Sequence, residues 1–463
     1  MLFSTYSFLF WFLPATLCLY FLPAALGVGG LRWQNGVLLV ASLLFYAWGE
    51  PLYLFLMLGI IALDTLLGLW IARAKHKKAV LGLAAVIHIS LLFYYKYAAF
   101  FAYVCGFFIP TPHLPLGISF YTFQALSYLI DVYRGRVAPQ KSPFLLGVYI
   151  ALFPQLIAGP IVCYRDVATA LRHRHHSLTG AAAGIRRFAA GLAKKLLLAN
   201  PMGALFTALI GRELSALGAW CALLAFSFQL YFDFLGYSDM AVGLGRVFGF
   251  RFPENFNYPY VARSITDFWR RWHITLSSFF RDYVYIPLGG SRKGVLRTVW
   301  NLAVVWVLTG LWHGAAWNFV LWGGYYFALL ALEKFVFCRF SHTVPGVIAH
   351  GATLLAILLG WAIFAFDGSS TALSFAALGK FLGSLAGRGG LSSPADLYDA
   401  VRHLPLLLLC ALGSTPLPRQ LYRRAVCRKR RLWLRAALPL AALLLCMIDL
   451  SDAGFNPFLY FRF

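Results

Sequence analysis

The chain has 463 residues, of which 61% are hydrophobic and 12% charged, about half the charged share of ordinary soluble domains. The fraction of surface that folding can bury saturates as domains grow, so this composition excludes a water-soluble protein and requires lipid around most of the apolar surface. Forty Lys and Arg against 16 Asp and Glu give a formal charge of +24. The basic residues lie in short tracts between apolar runs, the pattern of cytoplasmic loops and anionic-lipid contacts; no nucleic-acid partner is expected.

A spanning helix needs about 20 predominantly apolar residues. In chain order the candidates are Tyr6–Leu26, Gln34–Trp48, Pro51–Ala72, Val80–Phe108, Leu114–Val132, Phe144–Val162, Ile185–Ile210, Leu217–Phe234, Val299–Trp312, Ala315–Leu332, Gly346–Phe366, Leu404–Leu412 and Leu432–Leu450. Several are too short to cross straight. The fold expected is an all-α polytopic membrane protein with about ten to twelve crossings, plus re-entrant or interfacial helices. Leu2–Leu22 lacks a basic leader and reads as a first span that stays. Arg73, Lys75, Lys77 and Lys78 follow the third span and belong to the cytoplasm, which places the N-terminus outside and returns Arg134 and Arg136 to the cytoplasm. A re-entrant segment near Pro154–Pro160 would repair the parity beyond Val162. The whole chain reads as one membrane domain: N-terminal spans over 1–133, a core with the informative histidines over 134–345, and C-terminal spans over 346–463 with a basic cytoplasmic segment at 419–435. The eight cysteines show neither ligand spacing nor a disulfide framework, and no metal is expected.

Ser264–Tyr283 begins as a helix, with Ser264 as cap, Asp267 in capping-box position, and Arg270 and Arg271 at i+3 and i+4 from Asp267. In a continuous helix Phe268, Trp272, Leu276 and Phe279 form an apolar stripe, and His273 lies beside it with Trp269, Ser277 and Phe280. A histidine there is most often structural. His313 differs, because Thr298–Leu332 is a 35-residue stretch without a charge. That length is too long for one upright span and short for two, and Gly310 and Gly314 bracket Trp312–His313. Two shortened helices meeting there would leave His313 at membrane depth, where ionisable groups are costly and commonly functional. The competing reading is a neutral imidazole bonded to a neighbouring helix. Asp233 and Asp239, with Tyr237 between them, could relay protons, bind a cation or shape a polar cavity. The structural alternative pairs them with arginines of the Arg251–Arg297 region, which holds eight Lys/Arg.

At these residues the sequence resembles the membrane-bound O-acyltransferase family, in its bacterial alginate O-acetyltransferase branch. The matching strings are PLGISFYTFQALSYLIDVYRG (115–135), LFPQLIAGPI (152–161), QLYFDFLGYSDMAVGLG (229–245), NFNYPY (255–260), DFWRRWHITLSSFFRDYVYIPLGGSRKG (267–294), GLWHGA (310–315) and FNPFLYFRF (455–463). Leu235 stands where many relatives carry a small Ser, and Cys163 follows the Gly-Pro-Ile string where a basic residue is common. The resemblance implies that the helices form a funnel around a central histidine, that His313 is the acyl-transfer histidine and that His273 is a polar positioning group. Trp312, Asn318, Trp269, Arg270, Asp233, Tyr237 and Asp239 are candidate channel residues.

It further implies an acyl thioester donor, acetyl-coenzyme A or an acyl carrier, with no bound cofactor. It also implies a polysaccharide acceptor, a periplasmic acetyltransferase partner and a multi-pass place in the bacterial inner membrane. Open alternatives are D-alanyl transfer, acylation of peptidoglycan or cellulose, a proton-coupled transporter or flippase, and a catalytically silent subunit of an export complex.

Overall fold

The structure is a computed structural model that describes residues 2–157, 159–337, 344–366, 371–428 and 433–452. The string 455–463 and residues 429–432 of the basic segment lie outside the described residues. The described residues are helical and contain no strand. The chain divides into two compact units: Met1–Leu192 with Tyr237–Glu254, and Ala193–Gly236 with Asn255–Phe463. The segments 1–133, 134–345 and 346–463 do not coincide with those boundaries.

In the first unit the main helices are α1 (Leu13–Ala25), α2 (Leu31–Ala47), α3 (Tyr53–Arg73), α4 (Lys77–Val104), α5 (Ile118–Tyr133), α6 (Pro143–Ala151), α7 (Tyr164–Arg172) and α8 (Leu178–Ala193). Buried polar side chains join them. His88 Nε2 lies 2.7 Å from Asp64 Oδ1, which ties α4 to α3, and in an apolar setting such a bond has no water to compete with it. Helix α6 stops at Ala151 after nine residues, and the backbone of 159–163 is non-helical yet buried. Tyr149 serves that segment by donating from its hydroxyl to Val162 O at 2.9 Å. Irregular backbone of this kind is tolerated at depth only where protein surrounds it. The helical run therefore breaks within the stretch where a re-entrant segment was expected.

The second unit contains α9 (Asn200–Ile210), most of α10 (Ala216–Val247), α11 (Ile265–Arg271), α12 (Ile274–Phe280), α13 (Val295–His313), α14 (Trp317–Phe335), α15 (Gly346–Ala365), α16 (Pro394–Gly413) and α17 (Leu434–Asp452). Helix α10 passes from this unit into the first at Gly236–Tyr237. Among the described residues six helices are long and apolar enough to cross a membrane: α3, α4, α10, α13, α15 and α17. A seventh is counted if α16 and Leu417–Val426, which meet at a 72° bend, form one broken span. The other expected crossings are helices that are too short, insufficiently apolar or broken: α2 has 17 residues and α5 has 16.

The uncharged stretch behaves differently from the expectation of two shortened helices. Helices α13 and α14 have 19 residues each, about 28 Å at the helical rise. They reach that length by absorbing the charged flanks: α13 starts before Arg297, and α14 continues through Glu333 and Lys334. His313 is thus the last residue of a full-length helix. The pair packs closely because Gly310 and Gly323 face it, and a Cβ on either would collide with backbone oxygen, of Phe319 and of Trp306 respectively. Small residues permit this approach of helices in lipid.

Candidate functional site

Both histidines line one cavity of about 460 Å³ in the second unit, a volume suited to a small ligand or the reacting end of a larger one. One wall is a helical stripe of α13: Leu302, Val305, Trp306, Thr309 and His313. Their spacing keeps them on one face, and Leu302 to His313 covers about 16 Å along the axis. Thr266, Trp269 and Arg270 of α11 form a second wall, and Ser277, Phe280, Arg281 and Tyr285 a third.

Helix α11 is fixed at its start. Ser264 Oγ accepts from Asp267 N at 3.1 Å, so the cap read from the sequence is present. The Glu333 carboxylate accepts from Ile265 N at 2.6 Å and Thr266 N at 3.1 Å. A carboxylate at a helix N-terminus satisfies orphan N–H groups and meets the positive end of the helix dipole. Arg271 Nε bonds Asp267 Oδ1 at 2.8 Å, as the i+4 spacing predicts.

The helix does not continue through His273. Trp272 is extended, with φ −101° and ψ 129°, and His273 is left-handed, with φ 43° and ψ 54°. A non-glycine residue in that region costs about 1–3 kcal/mol and persists only where its surroundings hold it. The break corrects the continuous-helix expectation: His273 does not share a face with Trp269 by helical periodicity but enters the cavity from the break. Asn255 holds the turn. Its backbone oxygen accepts from Ile274 N at 3.0 Å, and its Oδ1 lies 3.1 Å from His273 Nδ1.

His273 is 1% exposed and His313 4%. Burial pushes the His273 imidazole down to about 3, so it is neutral near pH 7. It lies between seven-residue helices and outside all six spanning candidates. Trp312 packs against both imidazoles, with ring centroids 5.7 Å from His273 and 4.9 Å from His313. Phe234 stands 4.7 Å from His273, and Trp322 and Phe364 stand 5.1 Å from His313. These rings give the two imidazoles an apolar surround. The ionisable lining residues are His313, His273, Arg270, Arg281 and Tyr285, with no carboxylate among them. The cavity therefore favours an anionic or strongly polarised ligand.

The family profile of membrane-bound O-acyltransferases matches residues 88–349, which contain the entire cavity wall. The chain belongs to the membrane-bound O-acyltransferase family. It is 40% identical over 381 residues to a probable alginate O-acetylase of Pseudomonas aeruginosa, covering 79% of this chain and 72% of the relative. It is 36% identical to a probable alginate O-acetylase of Pseudomonas putida over the full length of both. A peptidoglycan O-acetyltransferase of Helicobacter pylori is 36% identical over 85% of this chain and 81% of its own length. The protein is an O-acyltransferase, and its apolar helices make it a multi-pass membrane protein.

Within this acyltransferase the candidate residues separate. His273, His313, Trp269 and Arg270 line the cavity. Trp312 backs the histidines without lining it, and Asn318, 2% exposed, sits in the first turn of α14. Asp233 is buried against Lys195 Nζ at 2.9 Å. Tyr237 and Asp239 belong to the first unit. There Tyr237 stacks on Phe3 at 4.6 Å, and Asp239 Oδ1 accepts from Arg187 Nε at 2.9 Å. The two carboxylates are thus ion-paired, as the structural alternative held. The partners seen, Lys195 and Arg187, lie upstream of the Arg251–Arg297 region. Among the described residues no group of three His, Cys, Asp or Glu is placed to hold a metal ion.

Sequence reasoning passed over Asn255, Glu333 and the Leu302–Thr309 stripe. The stripe was legible as an i, i+3, i+4, i+7 pattern ending at His313. Asn255 and Glu333 carried no local signal, because each acts on residues distant in the chain.

Proposed function

We propose that this enzyme moves an acetyl group from a cytosolic acyl thioester, acetyl-coenzyme A or an acylated carrier, to hydroxyls of an exported polysaccharide. It does so from the bacterial inner membrane, with its N-terminus outside. The observation that carries the reading is the single cavity lined by His273, His313, Arg270 and Arg281. A neutral imidazole takes the proton of the attacking hydroxyl as the oxygen bonds to the thioester carbonyl, an effect typically worth 10²–10⁴-fold. The tetrahedral oxyanion then expels the thiolate, which takes up a proton and leaves as the thiol, and the acyl ester remains on the acceptor. The indole N–H of Trp269, buried and without a hydrogen-bond partner among the described residues, is a donor suited to that oxyanion.

The alginate O-acetylases among the relatives favour an exopolysaccharide acceptor; the peptidoglycan O-acetyltransferase supports a cell-wall acceptor as second reading. The absence of a serine-nucleophile motif is compatible with handing the acyl group to a periplasmic acetyltransferase partner. The test is the acetyl content of both polymers in cells that carry the wild type or His313→Ala at equal membrane abundance. Loss from the exopolysaccharide alone supports the first reading, and loss from peptidoglycan alone the second. Unchanged acetylation of both refutes the assignment of His313. Crosslinking followed by co-purification tests the partner.

A further inference from the structure

We propose that Asn255 is the positioning residue that selects the tautomer of His273, with the proton on Nδ1 and Nε2 left as a bare acceptor directed into the cavity. Four contacts within the second unit lead to this.

The orientation of the Asn255 amide is settled by a group that can only donate. Thr275 N–H points at Asn255 Oδ1 at 3.3 Å, and Thr275 Oγ1 donates to the same atom at 2.9 Å. Turning the amide over would set its NH₂ against a backbone N–H, so the atom facing this turn is the oxygen. An amide oxygen only accepts. His273 Nδ1, 3.1 Å from it, must therefore carry the proton, and a neutral imidazole with its proton on Nδ1 has none on Nε2.

The same residue holds the backbone that aims the ring. Asn255 O accepts from Ile274 N at 3.0 Å, which pins the chain directly after the left-handed His273. Asn255 and His273 are each 1% exposed, so no solvent rearrangement competes with these bonds. His273 Nε2 is buried and has no hydrogen-bond partner among the described residues, while the residue lines the cavity. A buried polar atom left in this state has a ligand group as its natural complement: the O–H of an attacking hydroxyl, or an N–H of the thioester donor's arm.

The charged and titratable groups on the elements around the ring are consistent with a neutral imidazole. They are Arg270, Arg271 and Asp267 of α11, Arg281 and Asp282 after α12, His313 of α13, and Asp233 of α10, which pairs with Lys195. Asp267 bonds Arg271, Asp282 bonds Arg281 and Asp233 pairs with Lys195, so each of these carboxylates has a cation of its own. Burial lowers the His273 pKa in agreement.

Only one readout of the test rests on the acyl-transfer reading. Nitrogen-15 histidine-labelled protein in lipid, with His273→Gln to assign the His273 signals by difference, reads the tautomer without any acyl donor. The expected spectrum has a protonated Nδ1 and a bare Nε2 from roughly pH 5 to 9, and Asn255→Leu shifts it to a mixture. A wild-type proton on Nε2 overturns the inference whatever the substrate proves to be. Asn255→Asp supplies the second readout. It keeps the acceptor and adds a charge that stabilises imidazolium, so the acid limb of the transfer rate moves up by at least about one pH unit. At alkaline pH the rate stays within about threefold of wild type, whereas Asn255→Leu loses about tenfold or more throughout, the scale of second-shell losses. A pH-independent loss in Asn255→Asp equal to that of Asn255→Leu also overturns the inference. A wild type with the expected tautomer but no acyl transfer leaves the inference standing and removes the functional reading instead.

Discussion

Gly323 and Gly324 are neighbours on α14, yet the same substitution in them has opposite consequences. The Cβ of an alanine at position 323 would stand 2.5 Å from Trp306 O, whereas one at 324 would meet nothing within 4 Å. Close carbon–oxygen contacts begin near 3.3 Å, so α13 and α14 must part by about 0.8 Å at that level. The Cβ is fixed rigidly to the α14 backbone and the oxygen belongs to the α13 backbone, so neither can rotate aside. Overpacking of this kind costs about 1–3 kcal/mol, against a gain of up to about 1 kcal/mol from helix propensity. The net expectation for Gly323→Ala is a loss of about 1–2 kcal/mol, while Gly324→Ala is neutral or slightly stabilising. Activity should fall more than stability, because Trp322 adjoins Gly323 and its ring contacts His313 at 5.1 Å. A misplacement approaching 1 Å can cost about 10²-fold in rate. Thermal unfolding in detergent and acyl transfer by purified protein measure the two effects. Equal stability and equal activity in the two variants would refute the close-packed hairpin as the support of the site.

Three further outcomes follow from the same geometry. His313→Ala should lower transfer by at least about 10²-fold with normal membrane accumulation, read as acetyl content of the product polymer, and a smaller drop removes the general-base role. Glu333→Ala leaves Ile265 N and Thr266 N without their acceptor, so thermal unfolding should show a loss of about 1–2 kcal/mol; an unchanged melting temperature contradicts that cap. The pH dependence of stability carries a defined sign at His273. Its folded pKa is depressed from 6.5 to about 3, so above pH 6.5 neither state is protonated and there is no penalty. As pH falls below that value the unfolded chain binds the proton first, and the fold weakens by up to about 1.4 kcal/mol per pH unit. His273→Asn should remove this part of the acid sensitivity between about pH 6 and 4, and identical acid unfolding curves for the two proteins would contradict it.

The membrane class, the helical composition and the family were legible from sequence because each is carried by local runs and strings. Apolar runs record their own solvent, and an uncharged stretch records the cost of charge at depth. Span counting was less informative. Apolar length does not reveal where a helix is interrupted, and α6 stops after nine residues inside a run that reads as one span. Nor does the uncharged interval locate helix ends: α13 and α14 carry Arg297, Glu333 and Lys334 inside them. Those charges are tolerated because they lie at the ends away from the Gly314 turn, and Glu333 is occupied in capping α11.

The setting of His273 shows why a segment can carry clear helix signals and still be drawn wrongly. Every local signal from Ser264 to Phe280 favours an uninterrupted helix: a cap, an i+4 ion pair and an apolar stripe. The break at Trp272–His273 opposes that propensity and places a β-capable aromatic and a left-handed histidine in sequence. What offsets the strain is Asn255, eighteen residues upstream, through its backbone oxygen and its amide oxygen together. Neither contact is encoded by periodicity, so no window over the helix could reveal it. A continuous helix would fix the imidazole by the rotation of the helix alone. The break lets one distant residue set both its direction and its proton, and a conflict between local preference and observed backbone marks such a site.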